Sequence, residues 1–320
     1  VSPSPSIPPL SDQELSIHLE RTSRTFALAI PLLEEPLRSE VGLAYLLLRV
    51  ADTLEDAAPW TREERRAALA ELEVLLQGGE GPQASELARR WLERTPSENT
   101  DYLRLLEQTP QLLANLEALR PEAAAVVRRF VLRTVHGMRE VLAGATEQGL
   151  LRLTSIEELR AYCYIVAGLV GELLTELFLL DSRLTPSAPE LRALAPFFGE
   201  ALQLVNILKD AAEDSVEGRT WLPGSVRLEE VHALAEKDLV EAARYVRALH
   251  AARASHGVLA FTVMPLQLAR ATLELLVRQG PGAKVSRAEV AAQMSTLQEA
   301  LQRGTLPEDV LALAQSRREG

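Results

Sequence analysis

The chain has 320 residues, 47% of them hydrophobic and 25% charged, enough apolar material for a sizeable buried core. A net charge of −11 argues against general affinity for nucleic acid or anionic membranes. The single cysteine, Cys163, excludes an intrachain disulfide and any Cys-based metal site.

The first ten residues, VSPSPSIPPL, are rich in Ser and Pro and lack the basic and apolar regions of a signal peptide, so 1–10 reads as a flexible tail. Residues 11–320 read as one all-α domain, because Ala, Leu, Glu and Arg dominate and alternating Val/Ile runs are rare. Helices are predicted near 11–31, 36–57, 62–77, 84–94, 100–117, 121–146, 156–181, 188–215, 229–255, 257–279, 286–302 and 307–315. QGGEGP at 77–82, Pro96, Pro110, Gly149, LTPSAP at 184–189 and QGPG at 279–282 punctuate them, and none is long enough to link independent domains. No repeat of solenoid length recurs. The longest apolar stretch, IVAGLVGELLTELFLL, is shorter than a membrane span and carries Glu172 and Glu176. The polar end AQSRREG offers no anchor, so the expected location is cytoplasmic. Gly79, Gly81 and Ala84 imitate a dinucleotide motif, but helix rather than strand precedes them and Pro82 interrupts them.

The predicted helix over 39–57 is apolar nearly all round in its first half, which marks it as buried. Its polar residues form one stripe: Tyr45, Arg49, Asp52 and Asp56, with Glu55 beside them. Carboxylates four apart usually sit on a solvated face, but these flanks are too apolar for that. Two such charges ~5 Å apart repel by roughly 3 kcal/mol at an effective dielectric of 20, so they need cations. A second stripe follows another apolar half-helix: Gln203, Asn206, Asp210 and Asp214, with Glu213 adjacent. Facing each other, the stripes would surround one cleft with carboxylates, an arrangement suited to Mg²⁺ shared with substrate phosphates.

Basic residues accompany both stripes. Ser23 and Arg24 lie in SRTF, Arg49 precedes the first aspartate, Lys209 precedes the second set and Arg219 follows it. Singly each could be a structural ion pair; together they supply the charges a diphosphate needs. In AYCYIVAGLVGELLTELF, Gly168 and Gly171 weaken a helix by ~1 kcal/mol each and need a reason. Close helix packing is one; a smooth wall for a long apolar ligand, with Tyr162, Val166 and Leu169 or Val170 lining it, is the other. Cys163 reads as a small buried residue, and the five histidines show no ligand or triad spacing.

Five blocks, TSRTF, YLLLRVADTLED, YCYIVAGLVG, NILKDAAEDSVEGRTWLP and FTVMP, resemble the squalene/phytoene synthase family in order and spacing, and its squalene synthases most closely. The resemblance implies an all-α fold of the class I isoprenoid synthase type with a central cavity, in which two farnesyl diphosphates are joined head to head. It implies Mg²⁺ (with Mn²⁺ as the substitute) at Asp52, Glu55, Asp56, Asp210, Glu213 and Asp214. It implies diphosphate contacts from Ser23, Arg24, Arg49, Lys209, Arg219, Gln203 and Asn206, Lys209 standing where Arg is usual. Tyr162 would be the catalytic phenol, and Phe26 and Phe261 aromatic walls that tolerate a carbocation. NADPH would be the reductant, with Lys284 and Arg287 in the matching region, although no nucleotide motif is visible. The expected partner is farnesyl diphosphate, with no nucleic acid, no membrane anchor beyond transient contact for product release, and a monomeric state. Phytoene, dehydrosqualene or hydroxysqualene synthases share both motifs and are the nearest alternatives; a non-catalytic scaffold is disfavoured by the buried like charges. Head-to-tail prenyl synthases carry D-D-x-x-D, and this chain has no Asp-Asp pair.

Overall fold

A computed structural model describes residues 7–23, 25–79, 81–147, 151, 153–216, 227–280 and 282–315, with backbone only for 212–216. Every regular element among them is helical, as the composition predicts. The chain divides into two compact units, residues 1–30 with 35–151, and residues 31–34 with 152–320.

The first unit holds α1 (Asp12–Thr22), α2 (Phe26–Ala29), α3 (Leu37–Glu55), α4 (Arg62–Leu76), α5 (Gly81–Glu93), α6 (Thr100–Glu107), α7 (Thr109–Ala118) and α8 (Pro121–Ala143). Its axis is α3, which packs on α1, α4, α6, α7 and α8 and buries Leu43, Leu46, Leu47, Val50 and Leu54 completely or nearly so. Two polar devices fix this helix. At its start, buried Glu40 accepts a forked bond from Arg120 (2.5 and 3.0 Å). Beyond its end, Arg65 donates to the carbonyls of Ala57 (2.9 Å) and Trp60 (3.2 Å).

The predicted helix over 11–31 is broken. Ser23 is extended (φ −134°, ψ 144°) and its Oγ accepts the Phe26 N–H (3.0 Å), a local bond that competes with the helical ladder. The 100–117 prediction likewise splits at Gln108, two residues before Pro110, which cannot donate to a continuing ladder.

The second unit holds α9 (Ile156–Cys163), a π-helical turn (Tyr164–Gly168), α10 (Leu169–Phe178), α11 (Ala188–Val216), α12 (Leu228–Ala251), α13 (His256–Gln279), α14 (Arg287–Gln302) and α15 (Glu308–Gln315). Its axis is α11, packed on α12, α10 and α13. A Cβ on Gly171 would lie 2.0 Å from the Ala195 carbonyl oxygen, and one on Gly199 1.9 Å from that of Ala167. Backbone therefore touches backbone, which settles Gly171 in favour of close helix packing. Most of the 165–180 stretch, expected to be too short to span a membrane, lies in the longer helical run Ile156–Phe178, which contains the π-turn. Ile156–Phe178, Ser182–Ala211 and His256–Gln279 are each long and apolar enough to cross a membrane by length and composition, and more than half of the most apolar part of each is buried within the protein.

Candidate active site

In the first unit the stripe on α3 is assembled side chain by side chain. The Tyr45 hydroxyl donates to the Thr22 carbonyl (2.9 Å) and accepts from Arg49 Nη2 (3.0 Å). Arg49 Nη1 lies 3.2 Å from Asp52 Oδ2. The guanidinium is flanked by two rings, Tyr45 at 5.5 Å and Tyr102 of α6 at 5.4 Å, while its Nε–H is buried with no acceptor among the described residues. Burial alone would lower the proton affinity of Arg49, but Asp52 and Tyr45 outweigh it and raise it. Phe26 stacks obliquely on Tyr45 (5.7 Å), so Ser23, Phe26, Arg49 and Asp52 share one neighbourhood.

Asp52, Glu55 and Asp56 occupy the last turn and cap of α3, where no basic residue stands. This is the negative end of the helix dipole, so carboxylates here add repulsion rather than relieve it. A third of the Asp52 side chain reaches solvent, yet protein atoms crowd the carboxyl; burial pushes its pKa up against the pull of Arg49. Glu55 is pushed well up, by burial first and then by Asp56 and Asp52, with Arg65 opposing. Its Oε1 is buried and meets no hydrogen-bond donor among the described residues. This locus is short of positive charge, and an added cation is what its donor set fits.

In the second unit the other stripe lies near the C-terminal end of α11, again with no basic residue in the last turn. Lys209 Nζ donates to Asn206 Oδ1 (3.3 Å) and lies 3.4 Å from Asp210 Oδ2. Asp210 is 42% exposed, so this carboxylate is open to solvent, unlike Glu55. Gln203 is half-buried and Asn206 exposed. The Gly282 N–H donates to the Lys209 carbonyl (3.3 Å), tethering to this stripe the segment that carries exposed Lys284 and Arg287. Tyr162 is buried near the end of α9, directly before the π-turn, a distortion that recurs at functional sites. Phe261 of α13 has no exposed surface and meets Phe178 edge to face (6.2 Å). Cys163 is fully buried, and burial, then Glu200 and Asp238, push its thiol up.

The squalene/phytoene synthase family profile matches residues 19–233, which contain both stripes and the π-turn. The chain belongs to this family. A Neurospora crassa protein named "Probable squalene synthase" is 30% identical over 209 residues, 65% of this chain and 41% of that protein. A squalene synthase of Gibberella zeae is 28% identical over 288 residues, 83% of this chain and 59% of that protein. The chain thus spans about half the length of these curated relatives. Among solved structures, TcSQS in complex with the ligand E5700 matches with a TM-score of 0.74 at 23% identity, covering 96% of this chain and 92% of that one. A dehydrosqualene synthase in complex with ligand matches with a TM-score of 0.60 at 20% identity, covering 91% and 96%. The expected all-α isoprenoid synthase fold is therefore the observed one.

Against the residues the family resemblance implies, the first unit brings Ser23, Phe26, Arg49, Asp52, Glu55 and Asp56 to one end of α3 and its flanking helices. The second places Lys209 and Asp210 together on α11, and Tyr162 and Phe261 on α9 and α13. Arg24, Arg219 and the side chains of Glu213 and Asp214 lie outside the described residues. Among the described residues no three of His, Cys, Asp and Glu converge as a metal cage. Sequence reasoning missed Tyr102, whose place on a short polar helix carries no signal that its ring covers Arg49. It also missed the buried charges Glu200 and Asp238; the lone Glu200 within the apolar run FFGEALQL was the available clue.

Proposed function

We propose that the chain catalyses the squalene synthase reaction: two farnesyl diphosphates condense head to head to presqualene diphosphate, which is then reduced to squalene. The observation that carries this reading is the mutually repelling carboxylate set at the end of α3, in which Glu55 is buried with one oxygen that meets no donor among the described residues, beside an arginine flanked by two tyrosine rings. The Mg²⁺ ions that Asp52, Glu55, Asp56, Asp210, Glu213 and Asp214 would hold supply the positive charge that makes diphosphate a good leaving group. Arg49 offers the diphosphate a guanidinium whose orientation is already fixed by Tyr45, Tyr102 and Asp52, so little ordering is lost on binding. Ser23, Arg24, Lys209, Arg219, Gln203 and Asn206 complete the anion contacts in this reading, Lys209 as a point charge rather than a fork. The Tyr162 hydroxyl moves the proton lost at cyclopropane closure towards released diphosphate, the strongest base nearby. Phe26 and Phe261 exclude water and present ring faces rather than nucleophiles to cationic carbon. NADPH would bring the hydride, with Lys284 and Arg287 as its phosphate contacts.

A cytoplasmic, monomeric protein touching membrane only to deliver its apolar product belongs to the same proposal, supported by the net charge of −11. Incubation with farnesyl diphosphate and Mg²⁺, with and without NADPH, tests it. Squalene should dominate with NADPH, and presqualene diphosphate should accumulate without it. A desaturated C30 or C40 hydrocarbon formed equally under both conditions would replace squalene synthase by a dehydrosqualene or phytoene synthase. Tyr162→Phe should lose the first half-reaction; a wild-type rate of presqualene diphosphate formation would reduce Tyr162 to a wall residue.

A further inference from the structure

Behind the π-turn, α9, α11 and α12 enclose charges that the proposed chemistry does not use. Asp238 of α12 has no exposed surface, and among the described residues neither of its carboxylate oxygens meets a hydrogen-bond donor. Arg160 of α9 reaches it at 3.7 Å and reaches Glu200 Oε2 of α11, itself buried, at 3.4 Å. The same guanidinium lies over the Phe197 ring (5.4 Å). One cation between two buried carboxylates leaves an uncompensated negative charge, which a low-dielectric site relieves by keeping a proton.

The Asp238 carboxyl is accordingly pushed up to about 7, by burial first; Arg160 pulls it down, Glu200 pushes it up, Lys237 lowers it and Glu241 raises it. Glu200 is raised by burial against Arg160. Among the other ionisable groups that act on this cluster, Cys163 of α9 is a buried thiol that the same two carboxylates push up, Lys237 precedes Asp238 in the chain, and Glu241 is bound by Arg244 (2.7 Å).

Glu200 pairs with one end of the segment that carries Tyr162 and lies against the other. Arg160 stands two residues before this phenol, and a Cβ on Gly168, the last residue of the π-turn, would lie 3.1 Å from Glu200 Oε1. Gly199, next to Glu200, meets the Ala167 carbonyl.

We propose that Arg160, Glu200 and Asp238 are positioning residues that lock α9 and the π-turn against α11 and α12 and so aim Tyr162 for the first half-reaction. The functional half of this statement rests on the role given to Tyr162 above. The lock is closed while the carboxylate pair holds its proton. Above neutrality the added buried negative charge pushes the helices apart and loosens the turn.

Two measurements on the full chain test it, one independent of activity. Hydrogen exchange of amides 156–171, corrected for the intrinsic pH dependence, should quicken in the wild type between pH 6 and pH 8 and stay constant in Asp238→Asn, whose neutral amide mimics the protonated acid. In parallel, kcat for presqualene diphosphate formation should fall roughly tenfold over that range in the wild type, as a group with a midpoint near 7 requires, with KM for farnesyl diphosphate unchanged. Asp238→Asn should flatten the profile; Glu200→Gln, which leaves Arg160 with a single ionisable partner, should flatten it too. Equal exchange slopes in wild type and both variants would overturn the lock. Flattened exchange with unaltered pH dependence of kcat would overturn its link to Tyr162. Absence of presqualene diphosphate at every pH would instead refute the proposed function, and the exchange data would still decide whether the lock exists.

Discussion

Replacing Gly199 by Ala sets two known effects against each other. In an exposed helix the change would stabilise by about 1 kcal/mol, because alanine loses less backbone freedom on folding. Here the new Cβ would lie 1.9 Å from the Ala167 oxygen and 2.5 Å from its carbon. Both are backbone atoms, so no side-chain rotation relieves the overlap, and the helices must separate by more than about 1 Å to reach van der Waals distance. Separation loosens the nearby contacts of Phe198 with Tyr245 (5.4 Å) and thins the packing along α11. Overpacking of this kind costs about 3 kcal/mol or more, at the upper end of the usual range because backbone is met. The clash wins, by about 2–3 kcal/mol. For a cooperative unit of this size that lowers Tm by about 5–10 °C, measurable by circular dichroism. Gly42→Ala is the control: its Cβ meets side chains alone, the tip of Leu19 at 3.2 Å and Ile30 Cγ2 at an ordinary 3.8 Å, and its melting temperature should stay within about 2 °C of wild type. A Gly199→Ala protein that melts at or above the wild-type temperature would refute the claim that α11 and the π-turn are in backbone contact.

Two further outcomes follow from buried charge. Glu55→Gln removes a carboxylate whose folded pKa is raised, so the wild type loses stability as pH rises from the ordinary glutamate value towards the folded one, and the variant does not. At pH 8 without metal the variant should therefore melt higher, and adding Mg²⁺ with inorganic diphosphate should raise its Tm less than it raises that of the wild type; an equal rise would remove Glu55 from the ligand set. Arg120→Met strands Glu40, which is 1% exposed, and should cost about 2–3 kcal/mol, reduced from the fully buried case because Arg120 is 40% exposed. Glu40→Met combined with Arg120→Met should recover most of that loss in chemical denaturation, and failure to recover would mean that packing rather than charge is at stake.

Helix content, the two carboxylate stripes and the family were all legible in the residues themselves. The reason is that they depend on local periodicity: an apolar half-turn followed by Asp at helical spacing reads the same in any fold. The predicted helix starts at 11 and 62 fall where Ser11 with Glu14 and Thr61 with Glu64 form reciprocal caps, which are local chemistry too. Interruptions were harder. Ser23 breaks its helix with a bond to Phe26, and the 156–181 prediction hides a π-turn whose only outward sign is a pair of glycines.

Tertiary structure decided what each polar residue meets. Tyr102 becomes a cover for Arg49 because α6 packs on α3, Asp210 is left open while Glu55 is enclosed, and Asp238 changes from an ordinary acid in AEKDLVEA to a proton-holding group because α9 and α11 cover it. Charge and hydrophobic period are properties of sequence neighbours. Burial, and with it the proton affinity of a carboxylate, is set by residues dozens of positions away, so it exists only once the helices have packed.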